Sequence, residues 1–341
     1  MNMQTGPTVP YDKSPPNAHH GSKCARKSFS IPTMSDMKGR TVVITGATTG
    51  IGKETARALV KMGADVILLA RSEEKARATT REFEQTVPGA RVEYVLSELA
   101  SLASVRAAAE EIRKKCEKIH VLVNNAGLMN ETRLLSRDGH ELTFAVNHLA
   151  HFLLTSLLRD RLIAAALPTQ RARIVNVSSM IHAKGRIDWD DVMSEKRYEM
   201  FTAYAASKLA NVMFTCDLAR ELEGSHVTAN CLHPGVIGSG FGHNNRGWLK
   251  LGVTLVKPLL TTPEKGAHTS IKLASSPELE GVTGQYFDSF GRIAKCSPAS
   301  RDEAAQRRLR ALSEALCERA LQETAMPFGD LSPDEMPVPR G

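Results

Sequence analysis

The sequence predicts an α/β protein in which a doubly wound parallel sheet of about seven strands forms a single domain. Short runs of apolar, often β-branched residues recur along the chain, and segments with the apolar spacing of an amphipathic helix separate them. Strands that are apolar on both faces are typical of a parallel sheet that helices cover on both sides. Right-handed connections between such strands give the doubly wound arrangement.

The alternation of strands and helices begins after Arg40 and continues almost to residue 290. The apolar runs predict strands at 41–45, 66–69, 92–96, 119–123, 173–177, 227–232 and 285–287. The helical spacings between them predict helices at 51–62, 73–86, 101–117, 138–164 and 203–223. We therefore expect one domain over residues 39–295.

Both ends of the chain depart from this pattern. Residues 1–38 are rich in Pro, Ser, Asn, Lys and His and lack an apolar period, which predicts a disordered N-terminal extension. Residues 296–341 are predicted to form a C-terminal helix and a tail. The helix is expected at 299–321, where one face carries Leu309, Leu312, Leu316 and Leu321.

Composition and charge exclude several classes of protein. The chain is 42% hydrophobic and 24% charged, which is typical of a globular protein and not of a collagen-like or fully disordered one. The nearest approach to a membrane span, 142–158, contains Asn147, His148 and His151, so we expect no transmembrane segment. The net charge of +7 is partly local to residues 1–38, and without a run of Lys or Arg it predicts no nucleic-acid partner.

The cysteines and histidines predict neither a disulfide framework nor a metal site. The six cysteines are scattered without a Cys-x-x-Cys pair. His148 and His151 lie three residues apart, but no cysteine or carboxylate shares their spacing, so packed histidines are the better interpretation. Free cysteines favour a reducing compartment, and we expect the cytoplasm. Because the N-terminal extension is basic and poor in acidic residues, organelle targeting stays open as an alternative.

A glycine-rich turn follows the first predicted strand and reads Thr45-Gly46-Ala47-Thr48-Thr49-Gly50-Ile51-Gly52. Glycines at such a junction permit a tight turn, and they let backbone N–H groups approach a pyrophosphate at the helix N-terminus. The G-x-x-x-G-x-G spacing differs from the standard G-x-G-x-x-G, and a turn of this kind also occurs without a ligand. Its position on the first strand favours a Rossmann-type cofactor site. The expected contacts are Gly46, Thr48, Thr49, Gly50, Ile51 and Gly52.

The end of the second predicted strand discriminates between NAD and NADP. An acidic side chain there would bind the ribose hydroxyls of NAD and repel a 2′-phosphate. This sequence has Ala70, Arg71 and Ser72 at that point. The missing carboxylate is the stronger evidence, and the Arg71 guanidinium can pair with a phosphate. We therefore expect NADP (NADPH) as the cofactor, with NAD as the less favoured alternative.

Six motifs in a fixed order resemble the short-chain dehydrogenase/reductase family over residues 39–290. They are the turn 45–52, Asn124-Asn125-Ala126-Gly127, Asn147, Asn176-Val177-Ser178-Ser179, Tyr204-x-x-x-Lys208 and Pro234-Gly235. Within the family, the stretches 45–56, 146–152 and 207–211 are similar to the retinol dehydrogenase-like branch. That resemblance implies reactions on lipophilic alcohols and carbonyls of the retinoid, steroid or xenobiotic type, mostly with NADP(H).

The resemblance implies a role for four catalytic residues. Tyr204 is the acid/base, Lys208 holds the nicotinamide ribose, Ser179 hydrogen-bonds the substrate oxygen, and Asn147 steadies a water in a proton relay. The chemistry of the pair Tyr204 and Lys208 supports this. A phenol has an ordinary pKa near ~10, and a lysine one helical turn away lies on the same face, where its charge favours phenolate.

The resemblance also implies further cofactor contacts, in addition to Tyr204 and Lys208. The residues concerned are Asn124, Asn125, Ala126, Gly127, Pro234, Gly235, Val236 and Ser239. Glu98 and Leu99 stand where the family usually has Asp-Leu beside the adenine, and the longer Glu98 side chain leaves that contact open.

Residues 240–262 are markedly apolar and occupy the place of a substrate lid, with Phe241 and Trp248 as candidate wall residues. One interpretation is a lid over a lipophilic substrate, which could also contact a membrane surface peripherally. The other is a helix packed on the domain or buried in an oligomer.

A homodimer is suggested by an apolar stripe on the helix predicted at 203–223. The stripe consists of Ala205, Leu209, Val212, Met213 and Cys216. A stripe of this kind can equally face the sheet.

Two alternative functions also stay open. One is a regulator that binds NADP(H) without turnover. The other is an enzyme that reduces a carbon–carbon double bond.

Overall fold

The computed structural model describes residues 36–235 and 262–325, with side chains as far as residue 322. Most of the predicted extension, the predicted lid with Phe241 and Trp248, and the cofactor residues Val236 and Ser239 lie outside the described residues. None of the helices within the two described ranges is both long and apolar enough to cross a membrane.

Seven parallel strands form one sheet, and this confirms the predicted doubly wound α/β fold. The strands are β1 (Thr41–Thr45), β2 (Asp65–Ala70), β3 (Arg91–Leu96), β4 (Val121–Asn124), β5 (Ala172–Val177), β6 (Val227–Leu232) and β7 (Tyr286–Phe287). Their spatial order is β3-β2-β1-β4-β5-β6-β7, so the direction of winding reverses between β1 and β4. In such sheets the crevice at the carboxyl ends of the two reversing strands is the usual ligand site.

The helices alternate with the strands. They are α1 (Gly50–Lys61), α2 (Glu73–Thr86), α3 (Leu102–Lys115), α4 (Leu142–Phe144), α5 (Ala150–Ala165), α6 (Met200–Glu221), α7 (Pro263–Ser275) and α8 (Glu303–Ala325). Helix α6 begins three residues before its predicted start because the Glu199 carboxylate caps it, accepting hydrogen bonds from the N–H groups of Phe201 and Thr202.

The helix predicted at 138–164 is interrupted. The short α4 leads into a wider π-helical turn at Ala145–Leu149, and α5 follows. Such π-turns are rare and frequently occur at functional sites. This one contains Asn147, whose side chain it directs toward the loop after β4.

Two hydrophobic cores lie on the two faces of the sheet. One contains Met37, which the sequence assigned to the extension, together with β1 and helices α1 and α7. The other contains α3, α5 and α6, and helix α8 covers it by inserting Leu309 and Cys317.

The stripe from Ala205 to Cys216 is buried within this chain. Its residues pack against the core and against their own β6 and β7, so the stripe itself offers no surface to a second copy. Packing within the chain therefore accounts for the stripe, because helical periodicity does not say which partner covers a face, and the homodimer stays a prediction.

Candidate active site

The described site residues predicted from the sequence follow the carboxyl ends of β1 to β6 or lie on the adjoining helices. The parallel register aligns Ile44 with Val123, and Asn124 with Asn176. The turns that follow these strands therefore meet at one edge of the sheet. This edge is the crevice where the winding reverses.

Asn147 holds the loop after β4 through a pair of hydrogen bonds. Its Oδ1 accepts from the Leu128 N–H at 2.8 Å, and its Nδ2 donates to the Leu128 carbonyl at 3.0 Å. The same Nδ2 lies 3.0 Å from the Ser207 hydroxyl, which in turn donates to the Tyr204 carbonyl. The asparagine thus connects the loop to the helix that carries the tyrosine.

Lys208 projects into the same crevice from α6. Its Nζ donates to the Val177 carbonyl at 3.1 Å, and burial lowers the pKa of Lys208 to about 8. Gly127 is adjacent, since a Cβ on it would lie 3.2 Å from both Lys208 Nζ and Asn147 Oδ1. The structure brings these three predicted site residues together.

Tyr204 and Ser179 form a second pair at this edge. The Ser179 hydroxyl shares a hydrogen bond with Tyr204, which favours phenolate, but burial outweighs it and raises the pKa of the phenol. The Lys208 ammonium lies 5.7 Å from the centre of the Tyr204 ring. The net direction is therefore opposite to the lowering of the phenol pKa that the sequence led us to expect. A phenol whose pKa is raised above 10 is neutral at pH 7.

A chain of buried amides and hydroxyls supports the site from below. Asn124 Nδ2 donates to Asn176 Oδ1 at 2.8 Å and contacts the Thr155 hydroxyl at 3.0 Å. Asn176 Nδ2 then donates to the Thr215 hydroxyl at 2.9 Å. The chain links α5 to α6 through the ends of two central strands, so it fixes the separation of the two helices that surround the crevice.

The glycine turn has the features that a bound pyrophosphate requires. Gly46 and Gly50 adopt positive φ angles of 65° and 57°. A Cβ on Gly52 would overlap the Gly46 carbonyl oxygen and the Asn125 side-chain amide. Among the described residues, no side chain caps α1 and no acidic residue lies in its first turn. Its N–H groups therefore suit an anion, and the turn fits a dinucleotide.

The adenosine end of the crevice contains Arg71 and Glu98. Arg71 follows β2, its side chain is 74% exposed, and its Nε lies 4.0 Å from Glu98 Oε2. Glu98 turns its other carboxylate oxygen toward the Ala100 N–H at 3.1 Å. Leu99 packs against the core below. An exposed guanidinium paired so loosely can still bind a phosphate.

The turn after β6 brings Pro234 and Gly235 to the same edge, with Gly235 at a positive φ of 87°. Its N–H lies 3.3 Å from His233 Nδ1. His233 also stacks on Tyr286, at a centroid separation of 5.8 Å.

Sequence reasoning missed the side chains that hold the predicted residues in place. Thr45 accepts hydrogen bonds from two backbone N–H groups of the loop after β4. His182 donates from Nδ1 to the Ser179 carbonyl at 2.8 Å, and His151 contacts the Asn147 carbonyl at 3.1 Å. Each histidine lies one helical turn after a predicted site residue, and that spacing is the signal that could have found them.

A model of a known protein family matches the part of the chain that contains these motifs. The family model described as short chain dehydrogenase matches residues 40–250. The chain belongs to the short-chain dehydrogenase family. As a member, it is an oxidoreductase that interconverts alcohols and carbonyls with a nicotinamide cofactor.

Relatives of this short-chain dehydrogenase belong to the retinol dehydrogenase-like branch. Human retinol dehydrogenase 14 is 42% identical over 301 residues, which cover 82% of this chain and 87% of the relative. Human polyprenol dehydrogenase is 40% identical over 265 residues, which cover 77% and 80%. The predicted branch is therefore confirmed.

Solved structures with a similar fold support the assigned architecture. A protein of uncharacterised function from Mycobacterium paratuberculosis is 33% identical with a TM-score of 0.68, covering 84% of this short-chain dehydrogenase and 96% of that chain. The active-site complex of Pseudomonas aeruginosa RhlG with NADP is 25% identical with a TM-score of 0.60, covering 74% and 95%.

Proposed function

We propose that the protein is an NADP(H)-dependent oxidoreductase that interconverts a lipophilic alcohol and its carbonyl, with Tyr204 as the acid/base. The observation that carries the proposal is the convergence of Gly127, Asn147 and Lys208 beside the hydrogen-bonded pair of Tyr204 and Ser179.

The proposed chemistry divides between the cofactor and the chain. When bound, the nicotinamide supplies or accepts the hydride. In the direction of reduction, the neutral Tyr204 phenol donates its proton to the substrate oxygen, and the Ser179 hydroxyl hydrogen-bonds the same oxygen. The positive charge of Lys208 favours the phenolate that forms. Asn147 keeps the relay water at the end of the proton path.

Preference for NADP rests on the adenosine end. The exposed Arg71 guanidinium would pair with the 2′-phosphate, and no carboxylate follows β2 directly. The Glu98 carboxylate lies near Arg71 and competes for it, so the pair tunes affinity for the phosphate. The turn and loop contacts predicted from Thr48 to Gly52 and from Asn125 to Gly127 belong to the same proposal.

A lipophilic substrate is supported by relatives and by the surface of the site. The named relatives include retinol and polyprenol dehydrogenases, whose names specify lipophilic alcohols. Met180, directly after Ser179, and Phe201, one turn before Tyr204, are 54% and 46% exposed. These apolar side chains suit a lipophilic ligand, and a peripheral membrane contact at this edge is part of the proposal. The free cysteines of the described chain fit a reducing compartment, which we take to be the cytoplasm.

The test is a screen of lipophilic aldehydes, ketones and enones for NADPH oxidation, with NADH in parallel and products identified. We expect carbonyl reduction, preferentially with NADPH. Tyr204→Phe should lower kcat by about 10²- to 10⁴-fold while NADPH affinity stays within about threefold, because the phenol hydroxyl is needed for proton transfer. Tyr198→Phe is the matched control, since the Tyr198 hydroxyl donates to the Asn130 carbonyl and this residue is not part of the proposed site.

Two outcomes would contradict the proposal. A wild-type protein that binds NADPH without oxidising it in the presence of any carbonyl would instead be a cofactor-binding regulator. A product reduced only at a carbon–carbon double bond would identify the second alternative.

A further inference from the structure

His151 is a buried histidine whose two ring nitrogens both have partners in the site. It lies in the first turn of α5 with 2% of its surface exposed. Its Nδ1 is 3.1 Å from the Asn147 carbonyl oxygen, and its Nε2 is 2.9 Å from the Thr45 hydroxyl. The imidazole therefore connects the π-helical turn to the end of β1.

The partners determine which nitrogen carries the proton. A carbonyl oxygen can only accept, so Nδ1 must be the N–H donor toward Asn147. Burial lowers the pKa of His151 to about 4, and the ring is neutral at physiological pH. A neutral imidazole has one donor only, so Nε2 accepts the hydrogen of the Thr45 hydroxyl.

The bonds of Thr45 agree with this assignment. Its oxygen already accepts from the N–H groups of Asn125 at 2.9 Å and Ala126 at 3.0 Å, which uses both lone pairs. Its hydrogen can reach the Val123 carbonyl only at 3.5 Å, whereas His151 Nε2 is at 2.9 Å. Every donor and acceptor of this group is thus satisfied by one arrangement.

We propose that His151 is a positioning residue that couples the cofactor loop to the asparagine of the proton relay. Through Thr45 it fixes the backbone of Asn125 and Ala126, against which the cofactor would lie. Through Nδ1–H it donates to the Asn147 carbonyl and so holds the turn that carries the relay asparagine. This inference rests on the proposed function and extends it to a residue that does not touch the substrate.

Two substitutions by amide side chains test the hydrogen bonds of the two ring nitrogens separately. The amide nitrogen of asparagine lies near the position of Nδ1, so His151→Asn keeps donation to Asn147 and loses the acceptor for Thr45. The longer His151→Gln places an amide oxygen near Nε2, so it keeps the Thr45 bond and loses donation to Asn147. His151→Leu removes both hydrogen bonds and keeps the bulk.

The experiment measures NADPH Kd by nucleotide fluorescence and kcat at saturating NADPH in the full-length protein. His151→Leu should weaken NADPH binding and lower kcat, each by about tenfold, the size expected for one buried hydrogen bond. His151→Gln should recover the Kd to within about threefold and keep the low kcat. His151→Asn should recover kcat and keep the weak Kd.

His148→Leu is the matched control. It removes a neighbouring buried imidazole whose Nε2 is 2.9 Å from the Ser313 hydroxyl on α8, and it touches neither Thr45 nor the Asn147 carbonyl. We expect His148→Leu to lower the melting temperature. Its NADPH Kd and its kcat should not show the opposite responses expected of the two His151 amide variants.

The proposal is overturned if the asparagine and glutamine variants change Kd and kcat in parallel, or if His151→Leu behaves like His148→Leu. A wild-type protein that binds NADPH but turns over no substrate would refute the proposed function alone. In that case the difference in NADPH Kd between the two amide variants still supports or overturns the role of His151 toward Thr45.

Discussion

The central and peripheral helices of this fold differ in how they are buried. Helix α6 is buried without interruption from Ser207 to Leu218, whereas α2 buries only Ala76, Thr79 and Phe83. The neighbours of α6 are other helices and the sheet, while one face of α2 meets solvent. The proposed catalytic residues Tyr204 and Lys208 lie on α6, and the residue proposed to select the cofactor, Arg71, lies directly before α2.

The two regions stabilise polar side chains in different ways. In the centre, buried side chains such as those of Asn124 and Asn176 form hydrogen bonds with each other, and their burial keeps away the water that could replace a lost partner. At the periphery, Lys53 and Arg57 share the partly exposed Glu82 carboxylate, in contact with water. Because unsatisfied groups cost more when buried, positions in the centre are fixed and those at the periphery are adjustable. Substitutions should therefore affect stability and catalysis in the centre, and only cofactor affinity at the periphery.

Replacement of the central lysine has the largest expected effect. Lys208→Met removes the charge that favours phenolate, so we expect kcat to fall by about 100-fold or more. Steady-state kinetics at saturating NADPH measure this. Lys184→Met is the control, because this lysine lies at the end of the turn after Ser179 and is exposed. Equal activity of the two variants would show that the buried charge is not used.

The same lysine predicts a pH dependence of stability. Burial lowers its pKa from 10.5 to about 8 in the folded chain. Between these values the unfolded chain binds the proton and the folded chain does not, so the free energy of unfolding rises with pH across this window. The rise attributable to Lys208 should be about 3 kcal/mol. It is obtained as the difference between wild type and Lys208→Met in urea titrations from pH 7.5 to 10.5, and parallel curves for the two proteins would contradict it.

Most of the fold could be predicted from the sequence because each strand is an apolar run that ends in a turn. The position of the motifs after the predicted strands indicated that the candidate residues share one edge of the sheet. Helix α7 was not predicted, since its buried face is built largely of small residues such as Gly266, Ala267 and Ser270, which give a weak apolar period.

Other features depend on contacts that are distant in sequence. The pKa of Tyr204 is raised by its burial in the folded chain, which the four-residue spacing to Lys208 does not predict. The packing of Val212 and Cys216 against β6 and β7 likewise shows which partner covers this part of the stripe, a point that the sequence left open. Local spacing predicts which residue types meet the crevice, and tertiary packing decides their ionisation and their partners.

The buried amide chain should matter more for stability than the peripheral ion pairs. Asn176→Ala leaves the Asn124 amide and the Thr215 hydroxyl without this partner, so we expect a loss of about 2 kcal/mol in the free energy of unfolding. Glu82→Ala, whose carboxylate is 37% exposed, should lose less than about 1 kcal/mol. Urea denaturation of both variants at pH 7 measures the contrast. Equal losses in the free energy of unfolding would show that the buried amide chain stabilises the fold no more than the peripheral ion pairs do.

The smallest expected effect lies at the cofactor end and leaves stability unchanged. Arg71→Ala removes a charge-assisted contact with the 2′-phosphate, so we expect KM for NADPH to rise about tenfold while KM for NADH changes little. Arg77→Ala is the control, because Arg77 is equally peripheral but pairs with Glu73 on its own helix. Glu98→Gln should have the opposite sign, lowering KM for NADPH, since the competing carboxylate 4.0 Å from Arg71 becomes neutral. If Arg71→Ala raised KM for both cofactors alike, the guanidinium would be holding the shared adenosine part and not the phosphate. The selection of NADP would then have to come from another cation near the end of β2.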